Sequence, residues 1–414
     1  MTWTVERLGH RGDGVADGVF VARSLPGELV EGEVEGGRIA RPRIVQPSAE
    51  RVAAPCRHYR NCGGCALQHA SDAFVAGWKR QVVETALAAQ GLSAPFRPIH
   101  VSPASSRRRA TLAGRRLKAG ALVGFHARGS DTLTAIPGCL ILAPPLIGAL
   151  PALEALVTAG GSRKGEMALA VTALDQGVDV AATGGKPLDP ALRMELPRIA
   201  AAHGLARLTW EGETVYQPQP PTLRIGRARV SPPPGAFLQA TGDGEAALVA
   251  AVAEALSGAR RVADLFAGCG TFALPLAEAA EVHAVEGAAP LLAALDAGWR
   301  GAPGLRRVTT EARDLFRRPL LAGELARFDG LVIDPPRAGA EAQMREIAAA
   351  TATGATGPTR IAAVSCNPVT FARDARLLTE GGWRLDWVQV VDQFRWSPHV
   401  ELAARLSKGH MAQG

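Results

Sequence analysis

The chain has 414 residues, 47% of them hydrophobic and 21% charged, and its 46 Lys and Arg outnumber 39 Asp and Glu to give a net charge of +7. That length exceeds what one core organises, so two or three domains are expected, in the composition range of a soluble globular protein. No basic segment followed by an apolar run opens the chain, and no apolar stretch reaches the ~18 residues of a membrane span, so a cytoplasmic protein with no membrane partner is expected.

Residues 1–49 alternate short apolar runs, such as Val19-Phe20-Val21 and Leu29-Val30, with breakers at Gly12, Gly14, Pro26-Gly27 and Gly36-Gly37. Short strands divided by tight turns predict a small, OB-like β-barrel, an architecture that often carries nucleic acid. The next stretch, taken as a central domain over 50–236, opens on Cys56-x5-Cys62-Gly-Gly-Cys65. Grouped cysteines in a chain expected to be cytosolic read as metal ligands before disulfides. Three thiolates need a fourth ligand, for which Cys139 leads, with His58 and His69 behind it. The spacing leaves zinc and an iron–sulfur cluster equally open.

Ser71 is a plausible N-cap, and Phe74, Trp78 and Val82 recur every four residues, which predicts an amphipathic helix over 71–91 that can pack on the catalytic domain. Beyond it the central stretch reads as mixed α+β. Arg107, Arg108, Arg109, Arg115, Arg116 and Lys118 form a basic patch, a candidate phosphate-binding surface. Strands are predicted at 121–125, 167–172 and 178–182 and a helix at 150–159. The prolines between 218 and 234 mark a rigid connection to a third unit, 237–414.

There strands and helices alternate as in a doubly wound, Rossmann-like α/β sheet. The strand 261–266 leads into Ala267-Gly268-Cys269-Gly270 and a helix predicted from Thr271, and a second strand, 281–285, ends in Glu286. Glycines that admit a ligand to the backbone, followed after about twenty residues by an acid, form a nucleoside-binding arrangement. Ala273 breaks the full G-x-G-x-x-G, which favours S-adenosylmethionine, a cofactor without a pyrophosphate, over a dinucleotide. Asp314 follows the third strand, and Asp334-Pro335-Pro336-Arg337 ends the fourth. In amino-methylating enzymes an aromatic follows such prolines, so Arg337 argues against methylation of an exocyclic amine. The fifth strand, 361–364, opens into Ser365-Cys366-Asn367-Pro368, and Glu401 lies near the final strand. A free thiol is only about 3% thiolate at neutral pH, so its placement decides whether it reacts. A thiol, a carboxylate and a sulfonium donor suit methylation at C5 of a pyrimidine, with Cys366 adding to C6 and Glu401 taking the C5 proton. The tail from Ser407 reads as unstructured.

Asp264-Leu-Phe-Ala-Gly-Cys-Gly-Thr-Phe, Asp334-Pro-Pro-Arg-Ala-Gly, Ser365-Cys-Asn-Pro-Val-Thr and His399-Val-Glu, in that order, resemble the RNA uracil-C5 methyltransferase family. The cysteine array with Cys139 resembles its iron–sulfur subgroup, and residues 1–49 look like the TRAM domain that precedes it. The resemblance implies Cys366 as nucleophile, Glu401 as proton acceptor, and a [4Fe-4S] cluster on Cys56, Cys62, Cys65 and Cys139. It implies donor contacts from Gln239, Phe266, Gly268, Gly270, Thr271, Glu286, Asp314 and Asp334. Thr271 and Thr241 depart from it, since Asn is usual at both places. Members with the cluster mostly act on ribosomal RNA, so 23S rRNA is the expected substrate and transfer RNA the alternative, with the chain acting as a monomer. From another class, a non-catalytic iron–sulfur RNA-binding protein would carry the same cysteines without needing Cys366 or Glu401.

Overall fold

The computed structural model describes residues 1–352 and 357–408. Within 1–46 the short strands form two small sheets, one of Thr2–Thr4, Leu29–Glu31 and Arg43–Gln46, the other of Arg7–Leu8, Gly14–Ala16, Val19–Val21 and Arg38–Ile39. They enclose one apolar cluster of Val5, Ala16, Val21, Val30 and Ile39. Glycine is required at position 14, because a Cβ there would lie 2.1 Å from the Ser24 hydroxyl oxygen.

A seven-stranded sheet follows, built from Arg109–Arg116 to Glu213–Tyr216, with helices Leu150–Gly160 and Pro190–Ala202 packed into its core. The predicted strands and helix of this stretch all fall inside observed elements.

The largest sheet has eight strands in the order Val308–Ala312, Glu281–Glu286, Arg261–Leu265, Gly330–Ile333, Arg360–Ser365, Leu402–Lys408, Trp383–Asp392, His100–Val101. The first five are parallel, and Leu402–Lys408 is inserted antiparallel to its neighbours. Gly330–Ile333 is buried along its whole length, as a strand covered by helices on both faces must be. Helix Pro368–Glu380 lies in one covering core and helix Gly242–Ala255 in the other, so the sheet is doubly wound, the class read from the sequence. The chain winds outward in one direction from Arg261–Leu265 and in the other from Gly330–Ile333. The carboxyl ends of these two adjacent strands therefore flank the switch point, where such sheets bind their ligands.

Three expectations need correction. The helix predicted from Thr271 is a single turn, Ala273–Leu276: Pro275 has no amide hydrogen to give the Thr271 carbonyl, so the ladder does not begin there. The proline-rich connection contains a hairpin, Leu223–Ile225 with Ala228–Val230, whose apolar residues share a core with Leu274 and Leu295 of the doubly wound unit. Ser407 and Lys408 belong to the last strand, and the remainder of the predicted tail lies outside the described residues.

The helix read over 71–91 spans Asp72–Ala88, with the Ser71 hydroxyl accepting from the Phe74 amide at 3.1 Å. Its stripe is divided. Val75 and Trp78 pack with Leu8, Leu25 and Leu67, whereas Val83 and Leu87 enter the core beneath the eight-stranded sheet. Between them Lys79 is fully buried, donating to Asp392 and, at 3.0 Å, to the Phe394 carbonyl. Removing one partner of a buried pair leaves an uncompensated charge, so Lys79→Met should destabilise the protein by about 3–5 kcal/mol. Combining it with Asp392→Asn should recover much of that loss in equilibrium urea unfolding; no recovery would mean the two side chains act independently.

Candidate active site

At the switch point the backbone after Leu265 turns sharply: Phe266, Gly268 and Gly270 all have positive φ, at 66°, 54° and 92°. A Cβ on Gly270 would meet Leu295 at 2.8 Å, so only glycine fits, whereas nothing lies within 4 Å of the Cβ direction at Gly268, which leaves that backbone open to a ligand. Glu286, at the end of the neighbouring strand, accepts from the Gly268 amide at 3.1 Å and from the Ala288 amide at 2.9 Å. Asp314 caps its own turn by accepting from the Phe316 amide at 3.0 Å, and the exposed Phe316 ring lies 5.5 Å from that of Phe266. Thr271 continues the glycine loop. These residues therefore gather along the carboxyl edge of three adjacent strands, Arg261–Leu265, Glu281–Glu286 and Val308–Ala312.

Cys366 follows Arg360–Ser365 on the other side of the switch point and is half-buried. Its loop is tied down at both ends. Asn367 caps helix Pro368–Glu380 by accepting from the Val369 amide at 3.1 Å, while its side-chain amide donates to the Arg337 carbonyl at 2.9 Å. Thr370 donates to the same carbonyl at 3.2 Å, so the Cys-Asn-Pro and Asp-Pro-Pro-Arg loops are held as one unit.

Three acids meet here. Burial pushes the Cys366 thiol up to about 11, reinforced by the charges of Glu401 and Asp334 and opposed by Arg337. Glu401 is 4% exposed and is raised to about 8, first by burial and then by Asp334, while a hydrogen bond from Gln393 pulls it back. Burial raises Asp334 to about 7. Beneath them Asp264 is fully buried, and burial first and then Asp334 hold it well above the ordinary range, against the Ala273 amide. A thiol beside carboxylates that hold or release a proton near neutrality can act as a nucleophile with a proton acceptor at hand.

Gln239 completes the group. It is buried, and its side-chain oxygen accepts from Gln393 at 2.6 Å. Arginines of the predicted basic patch hold its backbone: Arg108 donates to the Gln239 carbonyl at 3.1 Å and pairs with Glu245, and Arg109 donates to the Leu238 carbonyl at 3.3 Å. Arg107 donates to the Arg109 carbonyl and lies over the Phe394 ring. These three guanidinium groups join the seven-stranded sheet to the doubly wound unit, which corrects their reading as a phosphate-binding surface. Arg115 pairs with Glu166, leaving Lys118 at the exposed turn.

Cys56, Cys62, Cys65 and Cys139 line one small pocket, walled by Phe125, Ile136, Leu140 and Ile141. The glycine pair is needed for this: a Cβ on Gly63 would lie 2.7 Å from the His126 carbonyl oxygen. His58 and His69 are engaged elsewhere, with the Pro137 carbonyl at 2.8 Å and the Tyr59 hydroxyl at 2.6 Å. Among the described residues no three His, Cys, Asp or Glu side chains converge closely enough for a single metal ion. The amides of Ala66 and Leu67, just after Cys65, donate to the Trp396 carbonyl at 2.8 and 3.0 Å, and so attach the cysteine segment to the loop that leads to Glu401.

Gln393 and Asp264 were not singled out in the sequence as site residues. The only local sign of Gln393 is a polar pair, Asp392-Gln393, ending a run of valines; Asp264 stood inside a quoted motif with no role. Two clefts lined by Arg261, Glu281, Arg307 and Arg327 and their neighbours lie at the opposite, amino edge of the sheet and hold none of the predicted site residues.

No protein-family model matches the chain. Among curated relatives, an RNA methyltransferase of Mesorhizobium japonicum is 44% identical over 416 residues, spanning 100% of this chain and 99% of its own length. An RNA methyltransferase of Caulobacter vibrioides is 45% identical, with 98% and 99% covered. The 23S rRNA (uracil(1939)-C(5))-methyltransferase of Aromatoleum aromaticum is 35% identical over 439 residues, again with 98% and 99% covered. Among solved structures, the tRNA (uracil-54, C5)-methyltransferase of Pyrococcus abyssi in complex with S-adenosyl-L-homocysteine superposes with a TM-score of 0.78 over 98% of this chain and 99% of that one, at 22% identity, a likeness of fold.

Proposed function

Because the chain belongs to the family of S-adenosylmethionine-dependent RNA uracil-C5 methyltransferases, we propose that it methylates C5 of a uridine in 23S rRNA through a covalent bond between Cys366 and C6. The observation that carries this reading is the meeting of Cys366, Asp334 and Glu401 at the switch point, a thiol and two carboxylates mutually coupled by charge. The relative at 35% identity supports ribosomal RNA as the substrate.

The Cys366 thiolate adds to C6, and the C5–C6 electron pair moves onto C5 and the O4 carbonyl. S-adenosylmethionine, when bound along Phe266, Gly268, Gly270, Thr271, Glu286 and Asp314, supplies the electrophilic methyl group that C5 takes up. The carbon then carries both hydrogen and methyl. Glu401 accepts the C5 proton, and the electrons of that C–H bond re-form the double bond as the Cys366 sulfur departs as thiolate. The base must leave its stack to reach the thiol. Asp334 borders both halves of the site, and residues 1–49 and the seven-stranded sheet are proposed to hold the RNA around the extruded base.

Methyl label from S-adenosylmethionine, added with this enzyme to total RNA from cells lacking the gene, is expected at one uridine of 23S rRNA, as 5-methyluridine. Label confined to transfer RNA would replace the substrate; label on an exocyclic amine would replace the chemistry.

We propose that Cys56, Cys62, Cys65 and Cys139 hold a [4Fe-4S] cluster, a reading supported by their lining one small, largely apolar pocket. Such a cluster would cross-link two separate stretches of chain behind the Glu401 loop. Anaerobically isolated protein is expected to carry about four iron and about four sulfide per chain, and Cys65→Ser to carry far less. One zinc per chain instead would exclude the cluster.

A further inference from the structure

Gln393 sits between the two halves of the site. Its side-chain oxygen accepts from the Ala240 amide at 2.8 Å, and because that neighbour can only donate, the orientation of the Gln393 amide is settled. The nitrogen must then face the other way, and it donates one hydrogen to the Gln239 side-chain oxygen at 2.6 Å and the other to Glu401 Oε2 at 3.0 Å. The residue is 2% exposed, and its Cβ occupies space that only a glycine at 244 leaves free, since a Cβ there would lie 2.8 Å away. Both amide hydrogens are thus committed, one to a residue on the donor side and one to the carboxylate on the uridine side.

We propose that Gln393 is a positioning residue of the methyl transfer: its amide joins Gln239 to Glu401, turning Gln239 to present its own N–H groups to the methyl donor and holding Glu401 with one oxygen free for the C5 proton. This rests on the reading of Cys366 and Glu401 as nucleophile and proton acceptor. Glu401 is faced by Asp334 and Cys366 from the neighbouring strand ends and by Gln393 from its own loop, with Arg337, Lys79 and Arg107 around the adjacent His399. Of the groups acting on Glu401 itself, Asp334 opposes ionisation, and the Gln393 hydrogen bond favours it. The bond to Gln239 gives donor binding and proton removal a shared element, so loosening either end should be felt at the other.

The test compares parent enzyme, Gln393→Met, Gln393→Glu, Glu401→Gln and Cys366→Ala on total RNA from cells lacking the gene, with methyl-labelled donor, from pH 6 to 10. Met keeps the volume and removes all three side-chain hydrogen bonds. Glu keeps the shape and sets a second acid against Glu401, so it gives an independent reading should the Met variant fold poorly. A hydrogen bond to a charged group is worth about ten- to a hundredfold, so Gln393→Met should turn over that much more slowly at neutral pH, with the rising limb of its pH profile moved up by about one to two units. Its rate should approach that of the parent at high pH, and methyl label should collect in a protein–RNA adduct on denaturing gels. Gln393→Glu should shift the limb at least as far. A folded variant whose limb stays at the parental pH, or whose loss is the same at every pH, removes the role of Gln393. Turnover by Cys366→Ala, or no adduct with Glu401→Gln, would instead remove the reading on which it rests.

Discussion

Cys366→Ala is expected to lower methyl transfer by roughly 10⁴-fold or more while leaving the affinity for S-adenosylmethionine within a factor of about three, because the thiol forms the bond on which the whole reaction depends and lies across the switch point from the glycine loop. The expectation is more demanding than it looks. A thiol raised to about 11 holds only about one thiolate in 10⁴ at neutral pH, so the ligand-free site keeps its nucleophile in reserve. Burial and the two carboxylates cause this, and Arg337 is the cation that works against them. Arg337→Ala should therefore slow adduct formation without abolishing it. RNA containing 5-fluorouridine reads the step directly: fluorine at C5 cannot leave as a proton, so the adduct persists on the parent enzyme and should be absent from Cys366→Ala. An adduct on the Ala variant, or donor binding weakened as much as turnover, would move the nucleophile elsewhere.

Glu401→Gln is expected to cost about 10²- to 10⁴-fold in turnover, the usual worth of a placed proton acceptor. The stage at which it stops matters more than the size of the loss. Methyl transfer precedes proton removal, so ordinary RNA should remain bonded to the variant with its new methyl group attached. The parent should show activity that rises with pH through about 8, where the Glu401 carboxylate forms, and this limb should disappear in the variant. Stability runs the opposite way. The folded value lies above the ordinary 4.5, so the contribution of the protonated form is fully present below about 4.5 and is lost as pH rises through about 8. Glu401→Gln should accordingly melt at a higher temperature than the parent at pH 9 and at a similar one at pH 5. Equal melting temperatures at both would mean that burial does not hold this carboxyl in its neutral form.

The two experiments and the Gln393 series probe different steps at one edge of the sheet. Loss of bond formation, arrest after methylation and a displaced pH limb are separate signatures. The Lys79–Asp392 pair and the Trp396 contacts explain how the loop between Trp383–Asp392 and Leu402–Lys408 is kept rigid enough for this, although it projects beyond both strands.

The sequence by itself determined which groups stand at strand ends. Ser365-Cys366-Asn367-Pro368 and Asp334-Pro335-Pro336 each follow a short apolar run, and a strand that ends at a turn presents its next residue at the sheet edge whatever surrounds it. The alternation of strands and helices after residue 260 and the grouping of Cys56, Cys62 and Cys65 were legible for the same reason: each is written in residues close together along the chain. Tertiary structure alone decided what those groups touch. Gln393 and Gln239 are 154 residues apart, Arg108 and Glu245 are 137, and Lys79 and Asp392 are 313. No local pattern marks such pairs. The arginines at 107–109 look like a surface for phosphate when read along the strand, and they become internal struts because a second unit lays its carbonyls and Glu245 over them. Periodicity and capping act over a few residues, whereas the partner of a buried polar group is chosen by packing of the whole chain, since only there is water removed and an unpaired hydrogen bond made costly.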